Sequence, residues 1–138
     1  MAPADTLPDI RALLETAEFP SDRVEAVLHC VEAHDEYAFR GIDRPADTLE
    51  AEVLRDADNL DAIGAVGIAR NFAFTDVVGN PLWDPTGEEY SGLGHFEDKL
   101  LHLLDEIHTE AGRELAEERH AFLEIFENRF EQEWYGEA

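Results

Sequence analysis

Apolar residues recur at spacings of three and four along almost the whole chain, and this pattern constrains the fold more than any other feature. After Ser21, for example, the apolar positions are Val24, Val27, Leu28 and Val31. One face of an α-helix has this spacing, whereas a half-buried strand alternates apolar and polar residues. No segment of the sequence shows a convincing alternation of that kind. The sequence therefore predicts an all-α fold.

Capping and breaking residues divide this pattern into five or six helices. Thr6-Leu7-Pro8-Asp9 resembles a capping box with a proline in the first turn, and Ser21 can cap a second helix. We expect a single helical domain over residues 1–138, because no repeat or linker divides the chain. The predicted helices span about 6–20, 21–41, 48–74 and 96–107, and a last long helix carries the apolar residues from Leu115 to Phe130.

Glycines mark two places where the helical pattern must change. Residues 79–94 hold two Pro and four Gly, which predicts the main loop of the protein. Gly64 and Gly67 lie inside the long third pattern, where each costs roughly 1 kcal/mol relative to Ala. A close contact with another helix, or a break, is expected there.

The chain is strongly acidic, with 33 Asp and Glu against 10 Lys and Arg and a formal charge of −23. Nine of the ten cations are Arg, and the only Lys is Lys99. This balance is typical of proteins from a salt-saturated cytosol, where the Debye length falls to about 3 Å and repulsion between surface carboxylates is screened. It predicts a halophilic protein and argues against nucleic acid and anionic membranes as partners.

Localisation and redox state are predicted from the apolar runs and the cysteine count. The sequence shows no signal segment and no apolar run of about 18 residues, so we expect a soluble, cytoplasmic protein. The single cysteine, Cys30, cannot form an internal disulfide. A small buried hydrophobe is the favoured interpretation of Cys30.

Three carboxylates, Asp56, Asp58 and Asp61, lead into the small apolar segment 62–69. On a helix, Glu50, Asp58 and Asp61 share one stripe, whereas Asp56 points elsewhere and is expected at the surface. A calcium loop does not fit, because the sixth position is Asp61 rather than Gly and the twelfth is not Glu. A solvated acidic helix end is the simplest interpretation in so acidic a protein.

Three parts of the chain together resemble a known family. They are His34 with the residues before it, the segment Thr48–Arg70 with the motif DADNLDAIGAVGIAR at 56–70, and the segment His95–Leu101. From about residue 9 to about residue 133 the sequence is similar to HD-domain metal-dependent phosphohydrolases, in particular the YedJ/YpgQ-like subgroup. The resemblance implies an all-helical HD-domain-like bundle, N-terminally truncated relative to the family.

The resemblance also implies a site. In the family a histidine, a His-Asp pair and a later aspartate surround a divalent metal, which polarises a phosphate ester and activates water. Asp58 matches the final aspartate, as metal ligand and catalytic residue, and Mn, Mg, Fe, Co or Zn would suit such ligands. His34 matches a histidine that contacts phosphate or substrate, and Glu50 and Asp61 are expected to support Asp58. The positions expected to face substrate phosphate are Arg70, His95 and Lys99.

The resemblance starts late within the family pattern. The first metal histidine and the His-Asp pair of the family precede the helix that starts near Asp9, so we expect this chain to begin after them. His34-Asp35 spells the dipeptide, but it lies in a polar context and too close to Asp58 to be that pair. Three explanations stay open: the chain is part of a longer enzyme, a second polypeptide supplies the ligands, or catalysis has been lost. Apolar surface left exposed would favour a homo-oligomer.

Two functions are therefore predicted. The first is metal-dependent hydrolysis of nucleotides or other phosphate esters, with the missing ligands supplied from elsewhere. The alternative is a catalytically inactive HD-like binding or assembly module. Lys99 favours a specific contact with phosphate, because a chain that otherwise uses only Arg has kept this Lys within the motif. An ion pair with a neighbouring helix would also explain it.

Overall fold

A computed structural model describes residues 3–35, 37–41 and 45–137 of the chain. These residues form six α-helices and three short 3₁₀ segments, and no strand is found among them. The all-α prediction is confirmed. The α-helices are α1 (Pro3–Thr16), α2 (Val24–Ala33), α3 (Leu49–Ala62), α4 (Gly64–Val78), α5 (Gly94–Asp98) and α6 (Glu110–Trp134), and the 3₁₀ segments are Ser21–Arg23, Ala38–Arg40 and Leu100–Glu106.

The chain divides into two compact units, Met1–Asp56 and Ala57–Ala138. In the first unit, α1 packs against α2. Arg11 on α1 also forms an ion pair with Glu25 on α2 at 2.6 Å, but both side chains are exposed, so this pair adds little stability. Burial of apolar side chains therefore holds this unit together. Its buried apolar residues are Val24, Leu28, Ala33, Tyr37, Ala46 and Ala51.

The second helix is shorter than the pattern over 21–41 predicts, since α2 ends at Ala33. His34 follows, with its Nδ1 atom 2.7 Å from the carbonyl oxygen of Val31. The ring of Tyr37 is then almost completely buried, and the guanidinium of Arg55 lies 5.4 Å from its centroid. The buried ring of Tyr37 thus lies after the end of α2. The apolar spacing of the sequence does not show that the helix ends before this residue.

The predicted helix over 48–74 is two helices, because the chain turns sharply at Ile63 and Gly64. Ile63 is extended, and Gly64 has a φ of +76°, which favours glycine. A Cβ atom at Gly67 would lie 2.2 Å from the carbonyl oxygen of Ala62. The glycines thus permit both the break and the close approach of α4 to the end of α3.

In the second unit, α6 packs against α4 and against the 3₁₀ segment Leu100–Glu106. The side chain of Thr109 caps α6 by accepting a hydrogen bond from the amide of Gly112 at 3.1 Å. An aromatic cluster joins α4, α5 and α6, with ring centroids 5.6 to 6.1 Å apart. Its members are Phe72, Phe96, Phe126 and Phe130.

The amphipathic segment over 96–107 is not one helix. It comprises the short α5 and a 3₁₀ segment, which meet at Lys99 with φ −143° and ψ −57°. Residues three apart eclipse each other in a 3₁₀ helix, and Leu100 and Leu103 are both buried in this way. The apolar pattern of an α-helix and that of a short 3₁₀ segment differ too little for the sequence to separate them.

Residues 79–93 form a loop with its own hydrogen bonds. The amide of Leu93 donates to the carbonyl of Leu82 at 2.8 Å, which joins the two ends of the loop. Near its tip, the amide of Glu89 and the hydroxyl and amide of Thr86 donate to the carboxylate of Asp84. These bonds hold the pKa of Asp84 below its ordinary value.

The loop is also packed against the end of α6. Trp83 lies in edge contact with the ring of Trp134, the centroids 5.6 Å apart, and with that of Tyr135 at 5.5 Å.

Within the described ranges, no helix has both the length and the apolar character needed to cross a bilayer.

Candidate functional site

A cleft of about 570 Å³ lies in the second unit, where the end of α3, the middle of α4, the loop and α5 come together. Five of the predicted site residues line it. They are Asp58, Asp61, Arg70, His95 and Lys99. The structure thus brings together residues from both the 56–70 motif and the 95–101 segment.

The break between α3 and α4 positions the first part of the cleft. Asp58 and Asp61 are exposed on the last turns of α3, and Arg70 follows on α4. The guanidinium of Arg70 forms an ion pair with the carboxylate of Asp61 across the break. Both side chains remain more than half exposed, at 62% and 58%, so solvent screens the pair and either group can exchange partners at small cost.

The loop positions the second part. The side-chain amide of Asn71 donates to the carbonyl of Gly92 at 2.7 Å, which fixes the loop end on α4. The amide of His95 then donates to the carbonyl of Ser91, and that of Lys99 to the carbonyl of His95. His95 and Lys99 are one helical turn apart and lie half-buried on the cleft side.

The described residues do not complete a metal centre. Across residues 3–35, 37–41 and 45–137, no group of three or more His, Cys, Asp or Glu side chains could hold a metal ion. In the cleft, Asp61 is paired with Arg70, and a metal usually needs three or more protein ligands. Donors beyond these residues would be required, and the role of Asp58 as a metal ligand stays a prediction.

Two predicted site residues, His34 and Glu50, belong to the first unit. His34 closes α2, and Glu50 is exposed in the first turn of α3.

Burial, and to a smaller extent the charge of Glu50, raises the pKa of the half-buried Cys30 thiol. The thiol therefore stays protonated near neutral pH, as expected of a small apolar residue rather than a nucleophile.

The prediction that Asp56 lies at the surface is wrong. Asp56 and the preceding Arg55 are each only 3% exposed, whereas Asp58 is exposed. The neighbouring Asn59 is fully buried, and its amide lies 3.4 Å from the carbonyl oxygen of Glu106. Asp56 and Asp58 lie on different sides of α3, and the sequence alone does not show which side is buried.

Sequence reasoning also missed three cleft residues, Asn71, Phe74 and Tyr90. A signal for Phe74 existed, since it follows Arg70 by four residues and so shares its face of α4. Tyr90 lies in the loop, where no periodicity applies. Its ring is 5.5 Å from that of His95.

A second cleft of about 440 Å³ lies between the loop, α5 and α6, and it is acidic. Burial, with the charges of Glu97, Glu131 and Glu124, raises the pKa of Glu127 to about 7. Glu97 projects from α5, the same short helix that presents His95 to the first cleft.

The chain is similar in sequence to the YpgQ protein of Bacillus subtilis. The two are 48% identical over 86 residues, which cover 62% of this chain and 40% of that protein. No protein-family profile matches the chain.

Solved structures show the same likeness. Bacillus subtilis YpgQ in complex with ADP superposes with a TM-score of 0.73 at 35% identity, covering 92% of this chain and 63% of that one. An HD-superfamily hydrolase from Bacillus thuringiensis gives 0.68 at 33% identity, over 94% and 63% of the two chains. A Lactobacillus plantarum protein gives 0.83 at 28% identity, over 99% and 70%.

The all-helical fold and these likenesses define a class of protein: the chain has an HD-hydrolase-like helical fold and is similar to HD-superfamily hydrolases. Its sequence is similar to that of the YpgQ protein. The chain spans about two fifths of the curated relative and less than two thirds of the YpgQ crystal structure.

Proposed function

We propose that the first cleft binds the phosphate groups of a nucleotide or another phosphate ester. The observation that carries this proposal is the convergence of Arg70, His95 and Lys99 on one cleft. Arg70 and Lys99 offer charge-assisted hydrogen bonds, which are shorter and stronger than neutral ones, and the ring of His95 can donate a further hydrogen bond.

The charge of the whole chain gives this convergence its weight. A protein with a net charge of −23 repels anions, so an anionic ligand needs a local concentration of cations. Lys99, the only lysine of the chain, lies in this cleft. The crystal structure of YpgQ with ADP supports a nucleoside diphosphate as a ligand of the same chemical class.

Hydrolysis is a further part of the proposal, because the chain has an HD-hydrolase-like fold. Asp58 and His34 are the residues that the family resemblance assigns to it. Since the described residues lack a complete metal-ligand group, we propose hydrolysis only for an assembly in which another polypeptide or a longer chain adds ligands. By itself the cleft binds and orients phosphate.

Arg70→Gln tests the binding proposal. We expect ADP to bind about tenfold more weakly, a loss of ~1.4 kcal/mol, because one charged donor is removed and the carboxylate of Asp61 is left facing the ligand. Isothermal titration calorimetry in concentrated KCl measures the dissociation constant. Asp61→Asn should have the opposite effect and tighten binding, since it releases Arg70 from its ion pair.

Arg129→Gln is the matched control. Arg129 is 61% exposed and paired with Glu133 on α6, much as Arg70 is paired with Asp61, but it does not line the first cleft. If Arg70→Gln and Arg129→Gln weaken ADP binding equally, the change in net charge explains the effect and the proposed contact of Arg70 with phosphate does not. Failure of the unmodified chain to bind ADP would reject the proposal.

The alternative function, an inactive HD-like binding module, is favoured by the incomplete metal-ligand group among the described residues. Phosphate release from ADP with and without Mn²⁺ separates the two functions. For a binding module we expect no release above background in either case, while ADP still binds. Release that depends on Mn²⁺ and is abolished by Asp58→Asn would instead establish hydrolysis.

A further inference from the structure

We infer that Asn71 is a positioning residue of the first cleft. Its side chain holds the carbonyl of Gly92 on α4, and this contact places His95 and Lys99 so that they can meet the same phosphate as Arg70. The inference rests on the proposed phosphate-binding function. It adds a residue that acts on the ligand only through the side chains that it places.

The three donors of the cleft lie on two separate elements. Arg70 projects from the middle of α4, a helix of 15 residues, and Asn71 is the next residue of that helix. His95 lies in α5, and Lys99 follows its last residue. Because α5 has only five residues, it is not stable by itself in water. Contacts with other elements therefore decide where His95 and Lys99 lie.

Gly92 is the point at which α4 holds the chain just before α5. Its carbonyl accepts the hydrogen bond from the side-chain amide of Asn71 at 2.7 Å, and its own amide donates to the carbonyl of Pro81 at 3.1 Å. A Cβ atom at Gly92 would lie 2.9 Å from the ring of Phe72, so glycine lets the chain approach α4 closely. Of the two hydrogen-bond partners, Asn71 is the one that belongs to α4.

Hydrogen bonds within the next residues carry this position on to the donors of the cleft. The carbonyl of Ser91 accepts from the amide of His95 at 3.1 Å, and the carbonyl of His95 accepts from the amide of Lys99 at 3.0 Å. The hydroxyl of Ser91 accepts from the amide of Gly94 at 3.1 Å. Since Ser91 is only 2% exposed, these bonds are shielded from water. A shift of Gly92 would therefore move His95 and Lys99 together.

Loss of this contact should affect the donors of the two elements differently. A hydrogen bond weakens steeply when its distance or angle departs from the optimum, so His95 and Lys99 help to bind a phosphate only while α5 keeps its place beside α4. Without the amide of Asn71 they would no longer reach the ligand, whereas Arg70 would keep its contact. Asn71 itself lines the cleft, and a direct contact with the ligand would not produce this asymmetry.

A double-mutant cycle tests the positioning role, because only residues that depend on each other have non-additive effects. Inorganic pyrophosphate is titrated calorimetrically into the full chain in concentrated KCl. We expect Lys99→Gln to weaken binding about tenfold in the unmodified chain and less than about twofold in Asn71→Leu. Arg70→Gln should weaken it about tenfold in both. Gly92→Ala should give the same pattern as Asn71→Leu, since its Cβ atom would displace the chain from α4.

A conservative variant and a matched control accompany the cycle. Asn71→Gln keeps the amide donor on a longer side chain, so it should bind pyrophosphate more tightly than Asn71→Leu. Asn128→Leu is the control, because Asn128 is an exposed asparagine of α6 that pairs with Gln132 and does not line the first cleft. Thermal unfolding shows whether each variant is folded. If Asn71→Leu does not fold, Gly92→Ala takes its place in the cycle.

The outcomes separate this inference from the proposed function. If Lys99→Gln weakens binding equally in the unmodified chain, in Asn71→Leu and in Gly92→Ala, Asn71 does not position Lys99, and phosphate binding still stands. Loss of the Arg70 effect in the same variants, or an Asn71→Gln variant that binds no better than Asn71→Leu, would likewise overturn the inference. Binding of neither pyrophosphate nor ADP to the unmodified chain would reject the proposed function itself.

Discussion

At the scale of single residues, identical side chains have different surroundings. Asp56 is buried and Asp58 is exposed, although they are two positions apart in one acidic run. Glu127 is a similar case among the many glutamates of α6, because burial and three neighbouring carboxylates raise its pKa to about 7. The burial and the pKa of a carboxylate in such a chain therefore depend on its surroundings more than on whether it is Asp or Glu.

Glu127 should make the stability of the protein depend on pH. Its ordinary pKa is near 4.5 and its folded value is about 7, so between these values the folded state binds more protons than the unfolded state. The free energy of unfolding then falls as pH rises from about 4.5 to 7. Glu127→Gln should remove this part of the pH dependence. At pH 8 it should raise the free energy of unfolding by about 1 kcal/mol after allowance for solvent screening.

Thermal unfolding followed by circular dichroism across this pH range measures the effect. Glu117→Gln removes the same charge from an exposed position on the same helix and serves as the control. If both variants keep the slope of the unmodified protein, Glu127 does not cause it.

At the scale of elements, the junction between α3 and α4 decides the geometry of the cleft. It sets the exposed end of α3, with Asp58 and Asp61, beside Arg70 on α4. Gly67 allows the two helices to approach, since a Cβ atom there would overlap the carbonyl of Ala62.

Gly67→Ala should destabilise the protein, although alanine is the better helix former. Overlap with Ala62 should cost about 2 kcal/mol, against a gain of about 1 kcal/mol in helix propensity. Denaturant unfolding in concentrated KCl gives the net change, and ADP binding should weaken as the junction shifts. Ala69→Gly, on the exposed face of α4, should lower the stability only through its lower helix propensity. If Gly67→Ala instead makes the protein more stable, the backbone at the junction can shift to accommodate the added Cβ atom at little cost.

At the scale of the whole molecule, the sequence predicted the helical class and much of the candidate cleft. Helical spacing is a local property, and it relates Asp58 to Asp61 on one stripe of α3. The place of Arg70 beside them was implied by the family resemblance of the 56–70 motif. The contribution of Tyr90 and the burial of Asp56 depend on which elements pack together, and no local pattern encodes that. The apolar spacing likewise does not encode the division of 96–107 into α5 and a 3₁₀ segment.

The contact between Trp83 and Trp134 gives the molecule an intrinsic optical reporter. These are the two tryptophans of the chain, and their rings meet in an edge contact where the loop packs against the end of α6. Separation of the loop from the helix would change both indole environments at once. Tryptophan emission and near-ultraviolet dichroism therefore report whether the loop stays packed against the end of α6. They can also show whether a ligand bound at the other end of the loop changes this packing.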